Sequence, residues 1–186
     1  YKVRLTIAAF KTQLRDGVDF REKYAATPRW NSMRIIFAVA AFFDLDLQLN
    51  DVVAFFLAAG LEDAEKIFME QDQRTHDGSD FICRLIKSMY GLPQAAYHSQ
   101  QMLIKSLLAD GITQSVSDRA VVVLPSTSPE AQYAEAMCSI HVDDSLSAGT
   151  KSGLAKLDKG KSQADVQHYD QLRANSGDWS PDRALP

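Results

Sequence analysis

The sequence predicts an α+β domain. Three observations carry this: alternating apolar residues mark several short strands, helical apolar spacing marks longer helices, and the two do not alternate regularly as βαβ units do. The chain has 186 residues, 46% of them apolar and 24% charged. That is ordinary globular composition and fits one domain, or one and part of another.

Val3, Leu5 and Ile7 alternate with Lys2, Arg4 and Thr6. The segment reads as a half-buried strand with Lys2 and Arg4 on one face. Asp16-Gly17 marks a turn. Asn31 or Ser32 is placed to cap a helix running to about Phe43, because Met33, Ile36, Phe37, Ala40 and Phe43 recur at helical spacing. Leu45, Leu47 and Leu49 alternate with Asp44, Asp46, Gln48 and Asn50, a strand with Asp51 at its carboxyl end. A short apolar helix from Val52 to about Ala59 follows, ended near Gly60. Lys66 to Glu70 and Phe81 to Ile86 read as strands, and Gln94 to Asp110 as a helix closed by Gly111. Ala120 to Leu124 is a β-branched strand, and Pro125 to Pro129 a loop. Ala134 to Val142 is a further strand with Asp143-Asp144 at its end. From Thr150 onward only five of 37 residues are Leu, Ile, Val or Phe. Residues 1–149 are therefore expected to form the folded unit, and 150–186 a polar, poorly ordered tail.

Charge is unevenly placed. Residues 1–34 carry eight basic and three acidic side chains, and residues 35–82 two basic and ten acidic. The chain as a whole has a net charge of −4, weakly against nucleic-acid binding. A basic amino end facing an acidic centre instead suits a protein that grips phosphates with one part and cations with another; the alternative is chance clustering on a solvated surface. Cys83 and Cys138 fit no zinc spacing or disulfide framework, and read as two buried side chains in a reducing compartment. The longest apolar run, Ile35 to Phe43, is nine residues, where a spanning helix needs about 20. No membrane partner is expected. The chain begins at Tyr1 without a basic-then-apolar leader and reads as a piece of a longer protein.

Asp51 ends one strand, and Asp143 and Asp144 end another, after Met137-Cys138-Ser139-Ile140-His141-Val142. Strands paired side by side would bring the three carboxylates together. Clustered carboxylates repel one another unless cations neutralise them, and hard oxygen ligands suit Mg²⁺. Two ions about 3.5–4 Å apart can support phosphoryl or nucleotidyl transfer. The alternative for Asp143-Asp144 is a solvated turn.

Ordered blocks of sequence resemble the reverse transcriptase of copia-type long-terminal-repeat retrotransposons. Tyr1-Lys2-Val3-Arg4-Leu5 resembles the family's Tyr-Lys-Ala-Arg-Leu, and Asp51-Val52 with Phe56-Leu57 resembles Asp-Val-Lys-Thr-Ala-Phe-Leu. Cys83-Arg84-Leu85-Ile86-Lys87-Ser88-Met89-Tyr90-Gly91-Leu92-Pro93-Gln94-Ala95 resembles Cys-Arg-Leu-Lys-Lys-Ser-Leu-Tyr-Gly-Leu-Lys-Gln-Ala. His141-Val142-Asp143-Asp144 with Leu146, Ala148 and Gly149 resembles Tyr-Val-Asp-Asp-Ile-Leu-Ile-Ala-Gly.

The resemblance implies right-hand polymerase fingers and palm, with a ferredoxin-like antiparallel palm sheet and packed helices. It implies RNA-directed DNA polymerase activity: two-metal transfer of a dNTP to a primer 3′-hydroxyl, using Mg²⁺ or Mn²⁺. By motif match Asp51 and Asp143 are the metal ligands, and Asp144 the acid beside them. Lys2 and Arg4 would meet the triphosphate, Phe56 would lie under its sugar, and Gln94 would contact the incoming nucleotide. The alternatives are a solvated strand face for Lys2 and Arg4, a core side chain for Phe56 and a helix-start polar residue for Gln94. His141 stands where the family has a primer-contacting tyrosine. The implied partners are an RNA or DNA template with its primer, dNTP, and the RNase H and integrase segments of the parent polyprotein. The implied location is the cytoplasmic virus-like particle. Departures such as Ala96-Tyr97-His98-Ser99 for Pro-Arg-x-Trp open a second reading, an inactive relic with weak nucleic-acid binding. A third is an unrelated metal-dependent phosphohydrolase.

Overall fold

The computed structural model describes residues 6–7, 14–52, 55–61, 66–71, 78, 81–128 and 133–162. Its elements are α1 (Trp30–Phe42), β1 (Asp46–Asp51), α2 (Phe55–Ala58), β2 (Phe68–Glu70), β3 (Ile82–Arg84), α3 (Ala95–Ala109), β4 (Thr113–Gln114), β5 (Val121–Leu124), β6 (Ala136–His141) and β7 (Asp144–Gly149). Residues 151–162 form a further helix, α4. The α+β class holds. Five strands make one sheet in the order β1-β7-β6-β5-β4, and β2 pairs with β3 in a separate ribbon. Every one of these pairings is antiparallel.

The sheet is sandwiched between helices because its strands alternate. Val122, Leu124, Ala136, Cys138 and Ile140 point to one face, where Phe55 of α2, Leu103 and Leu107 of α3, and Leu154 and Leu157 of α4 close the main core. Val121, Val123, Met137 and Ala148 point to the other, where Ile36 and Ala40 of α1 cover them. A third cluster joins Ile67, Leu85, Leu92 and Ala95 with Ile7, Phe56 and Met89, tying the β2–β3 ribbon to the start of α3.

The start of α1 differs from expectation. Neither Asn31 nor Ser32 caps it; the cap position is Arg29, with no side-chain cap bond. The Ser32 hydroxyl donates instead to Asp118 Oδ2 at 2.6 Å, and the Arg29 N–H donates to the same oxygen at 2.8 Å. A carboxylate from the loop before β5 thus holds the start of α1 through the Arg29 N–H and the Ser32 hydroxyl.

The chain after Gly149 also departs from the reading of a poorly ordered tail. Residues 151–162 are helical, and Leu154 and Leu157 are buried at 8% and 0% exposure. Averaging composition over the whole tail hides this two-leucine stripe at i, i+3 spacing. The rest of that tail, residues 163–186, lies outside the described residues. The two thiols differ from each other: both are free, but Cys83 is exposed and only Cys138 is buried.

The expected amino-terminal strand runs over residues 2–7; residues 2–5 lie outside the described residues, and 6–7 are not in a strand. The Ile7 N–H donates to the Tyr90 carbonyl at 2.7 Å. The next residue, Gly91, has φ +94°, and a Cβ there would collide with the Ile7 carbonyl. Only glycine permits both the turn and this close approach. Among the described residues no helix is long and apolar enough to cross a membrane.

Candidate functional site

The sheet register assembles the acidic end of the molecule. Asp51, the last residue of β1, is the cross-strand partner of Asp144, the first of β7. His141, the last of β6, is the partner of Asp144 on the other side. Directly opposed residues share a sheet face with Cβ atoms about 4.5–5.5 Å apart. Asp51, Asp144 and His141 therefore form one row across three strands, and all three are exposed. Asp143 sits in the turn between β6 and β7, where its carbonyl accepts the Val52 N–H at 2.9 Å. The row lies beyond the part of this face that α1 covers, at the open end of the sheet.

A two-residue turn, Val142-Asp143, joins β6 to β7, and Val142 has φ +59°. A positive φ at the first central residue alone is the type II′ pattern, which favours glycine. A β-branched residue there costs on the order of 1–2 kcal/mol. Strain of this kind is held in place by the packing around it, and Val142 packs against the main core.

Two polar residues that sequence reasoning did not single out lie on the opposite face of the same strands. Asp158 of α4 accepts hydrogen bonds from Gln48 Nε2 and Asn50 Nδ2 of β1, both at 2.9 Å. Lys161, 6% exposed, donates to the hydroxyls of Ser145 and Ser147 of β7, both at 3.1 Å. An ion pair of 3.8 Å joins the two. Both line a cleft of about 400 Å³ that Asp51 and Asn50 also border. The only sequence signal was the helical i, i+3 spacing of Asp158 and Lys161.

The remaining candidates are Phe56, Gln94, Lys2 and Arg4. Phe56 is half-buried, with its ring 5.2 Å from that of Tyr90 and 5.8 Å from that of Phe55. It belongs to the edge of two core clusters, so packing accounts for its position. Gln94 precedes α3, is fully buried and makes no side-chain cap bond. Neither its Oε1 nor its Nε2 has a hydrogen-bond partner among the described residues. Leaving such a group unpaired costs about 1–3 kcal/mol. Gln94 stands at the N-cap position of α3, as the helix-start alternative has it, with its side-chain amide unpaired. Lys2 and Arg4 lie outside the described residues.

Two carboxylates that frame the sheet are perturbed. Burial alone would raise the Asp118 carboxyl, but the Ser32 hydroxyl, the N–H groups of Arg29 and Ala120 and the Arg29 charge together hold it below its ordinary value. Glu135, just before β6, is lowered chiefly by its hydrogen bond to the Lys156 ammonium at 2.8 Å, against partial burial and with help from Ser152. Both contacts fix the first turns of α4 beside the start of β6.

The acidic end has the donor chemistry for a hard cation. Asp51, Asp143 and Asp144 have no hydrogen-bonded or ion-paired side-chain partner among the described residues, so no protein cation offsets their mutual repulsion. As placed, they do not form a group of three or more ligands able to hold a metal ion; none exists among the described residues. The backbone brings the carboxylates to one place, and the side chains do not close on a common centre.

Comparison with known proteins adds to this geometry. A family model described as reverse transcriptase (RNA-dependent DNA polymerase) matches residues 1–172. The chain is similar to the retrovirus-related Pol polyprotein from transposon TNT 1-94 of Nicotiana tabacum, at 31% identity over 163 residues, covering 84% of this chain and 11% of that one. It is similar to the corresponding polyproteins from transposons RE2 and RE1 of Arabidopsis thaliana, at 30% and 28% identity over 176 residues, covering 92% of this chain. It spans 12% and 11% of their lengths. No solved structure gives a significant match.

Proposed function

This chain belongs to the reverse transcriptase (RNA-dependent DNA polymerase) family of copia-type retrotransposon Pol polyproteins, and from that premise we propose that it carries the nucleotidyl-transfer centre of such an enzyme. The observation that carries the reading is the register that sets Asp51 opposite Asp144, with Asp143 in the adjoining turn. Residues far apart in sequence and matched to separate family motifs meet at one exposed end of the sheet.

Asp51, Asp143 and Asp144 would hold the divalent ions. When bound there, such ions lower the pKa of a primer 3′-hydroxyl and offset charge on the triphosphate. The chain's own residues supply the rest. The carboxylates bring a concentrated negative charge that a cation must balance. His141, in the same row, offers a flat ring against which the primer end can stack. Phe56, locked by Phe55 and Tyr90, gives a rigid wall for the sugar to meet. Gln94, buried with its amide unpaired, would contact the nucleotide where the packing around it opens. Lys2 and Arg4 would add positive charge for the phosphates.

A second reading, an inactive relic, is favoured by one observation: the three carboxylates do not form a closed ligand group. Primer extension separates the two. With primed poly(rA), dTTP and Mg²⁺ or Mn²⁺, the enzyme reading predicts slow extension that Asp143→Asn abolishes. Incorporation no different from Asp143→Asn favours the relic.

A further inference from the structure

The register of β1 is the feature on which the acidic row depends, and the apolar pattern of β1 does little to set it. Leu47 and Leu49 are 52% and 79% exposed. The opposite face of the strand is polar, with Gln48 and Asn50. Strands with neither face buried are prone to slip, and a slip of one residue sends every side chain to the other face. The native register also sets Asp51 against Asp144, and directly opposed like charges are unfavourable. β1 lies at one end of the five-stranded order, with β7 as its only neighbour in the sheet among the described residues. Something other than apolar burial must therefore favour this register.

We propose that Asp158 and Lys161 of α4 are positioning residues that lock β1 onto β7, and so hold Asp51 opposite Asp144. The contacts have the required pattern. Asp158 grips Gln48 and Asn50, and Lys161 grips Ser147 and Ser145. These are opposed pairs in the sheet: Gln48 faces Ser147, and Asn50 faces Ser145. The Ser145 hydroxyl also reaches the Asn50 carbonyl at 3.5 Å. Each member of the i, i+3 pair thus holds one strand at two consecutive inward positions, and the ion pair between them couples the two grips. A one-residue slip would carry Gln48 and Asn50 to the far face and break both contacts to Asp158. A two-residue slip would leave one of them without its partner. Lys161 is buried, so its ammonium depends on these hydroxyls and on Asp158 for the partners that water would otherwise supply. The locked pair Asn50–Ser145 is immediately next to Asp51–Asp144, so the constraint acts one residue from the carboxylates.

The importance of this lock for chemistry rests on the proposed function, and the test keeps the two apart. Hydrogen exchange is measured on the whole chain and on Lys161→Met and Asp158→Ala, with Mn²⁺ affinity followed by the free-ion electron paramagnetic resonance signal. The proposal predicts that both variants lose amide protection across residues 46–51 by about tenfold, while protection of α3 is unchanged. It predicts that Mn²⁺ affinity falls by about tenfold in the same variants, the scale seen when groups supporting metal ligands are removed. Lys161→Met keeps the length and apolar stem of the side chain, so it tests the donor group rather than the packing. Unchanged protection of β1 in both variants overturns the proposal. So does an equal loss in α3, which marks general destabilisation. If the parent chain binds no Mn²⁺ while β1 protection falls selectively, the lock stands and the metal reading of Asp51 and Asp144 fails.

Discussion

Asp118 shows how much one side chain can organise. Its two oxygens serve the Ser32 hydroxyl and the N–H groups of Arg29 and Ala120, so it holds α1, its own loop and the start of β5 together. Removing it strands the buried Ala120 N–H and frees Ser32 and Arg29, and Asp118→Ala is expected to cost about 1–3 kcal/mol in urea denaturation. The acid side follows from the sign of the shifts. Asp118 and Glu135 are both held below their ordinary values of 3.8 and 4.5. Their contributions are full above those values and are lost as pH falls through the lower folded-state ones. Stability should be level above about pH 5 and decline below it, and Asp118→Asn should flatten that decline. Urea midpoints taken between about pH 3 and 6 measure it. Gly91 makes a second point at this scale. Gly91→Ala forces a side chain into the left-handed region and onto the Ile7 carbonyl. It should destabilise by more than the roughly 1–2 kcal/mol of the backbone term alone, read as a lowered melting temperature.

Among the elements, those with strong apolar periodicity were legible and those held by partners were not. The helical spacing of Ile36 and Ala40 and the run Val121 to Leu124 announced α1 and β5. β7 is six residues of Asp-Ser-Leu-Ser-Ala-Gly, a weak strand by propensity. It exists because β1 and β6 pair with it on both sides. α4 was hidden by its polar neighbours, since its two core leucines are diluted by lysines and by Asp158. Its first turn is capped by Thr150, whose Oγ1 accepts the Gly153 N–H at 3.1 Å, and it is anchored by Glu135, which bonds Ser152 and Lys156 from the start of β6. Thr150 is a local N-cap signal, but no local signal reports the Glu135 contacts. The element is nonetheless integral to the core, and Leu157→Ala should cost about 2–5 kcal/mol in chemical denaturation. A variant that loses nothing measurable would show that α4 only rests on the sheet.

For the molecule as a whole, the sequence made the chemistry of the site more legible than its geometry. Motif order placed Asp51 and Asp143-Asp144 in one centre, and the sheet register sets Asp51 beside Asp144. Nothing in the motifs revealed that Gln94 would be buried with its amide unpaired, or that Lys161 and Asp158 would sit beneath the acidic row. Those facts depend on which surfaces meet after folding. The charge map fits the same picture: the acidic stretch from residue 35 to 82 includes Asp51, and the exposed end of the sheet gathers two more carboxylates that no cation among the described residues pairs with. A site so arranged should take up divalent cations. The most direct measurement is anomalous diffraction from crystals of the chain soaked in Mn²⁺ with a deoxynucleoside triphosphate. The account predicts manganese peaks bounded by Asp51, Asp143 and Asp144, absent when Asp51 and Asp144 are both changed to Asn. Manganese bound only elsewhere, or peaks that persist in the double variant, would contradict it.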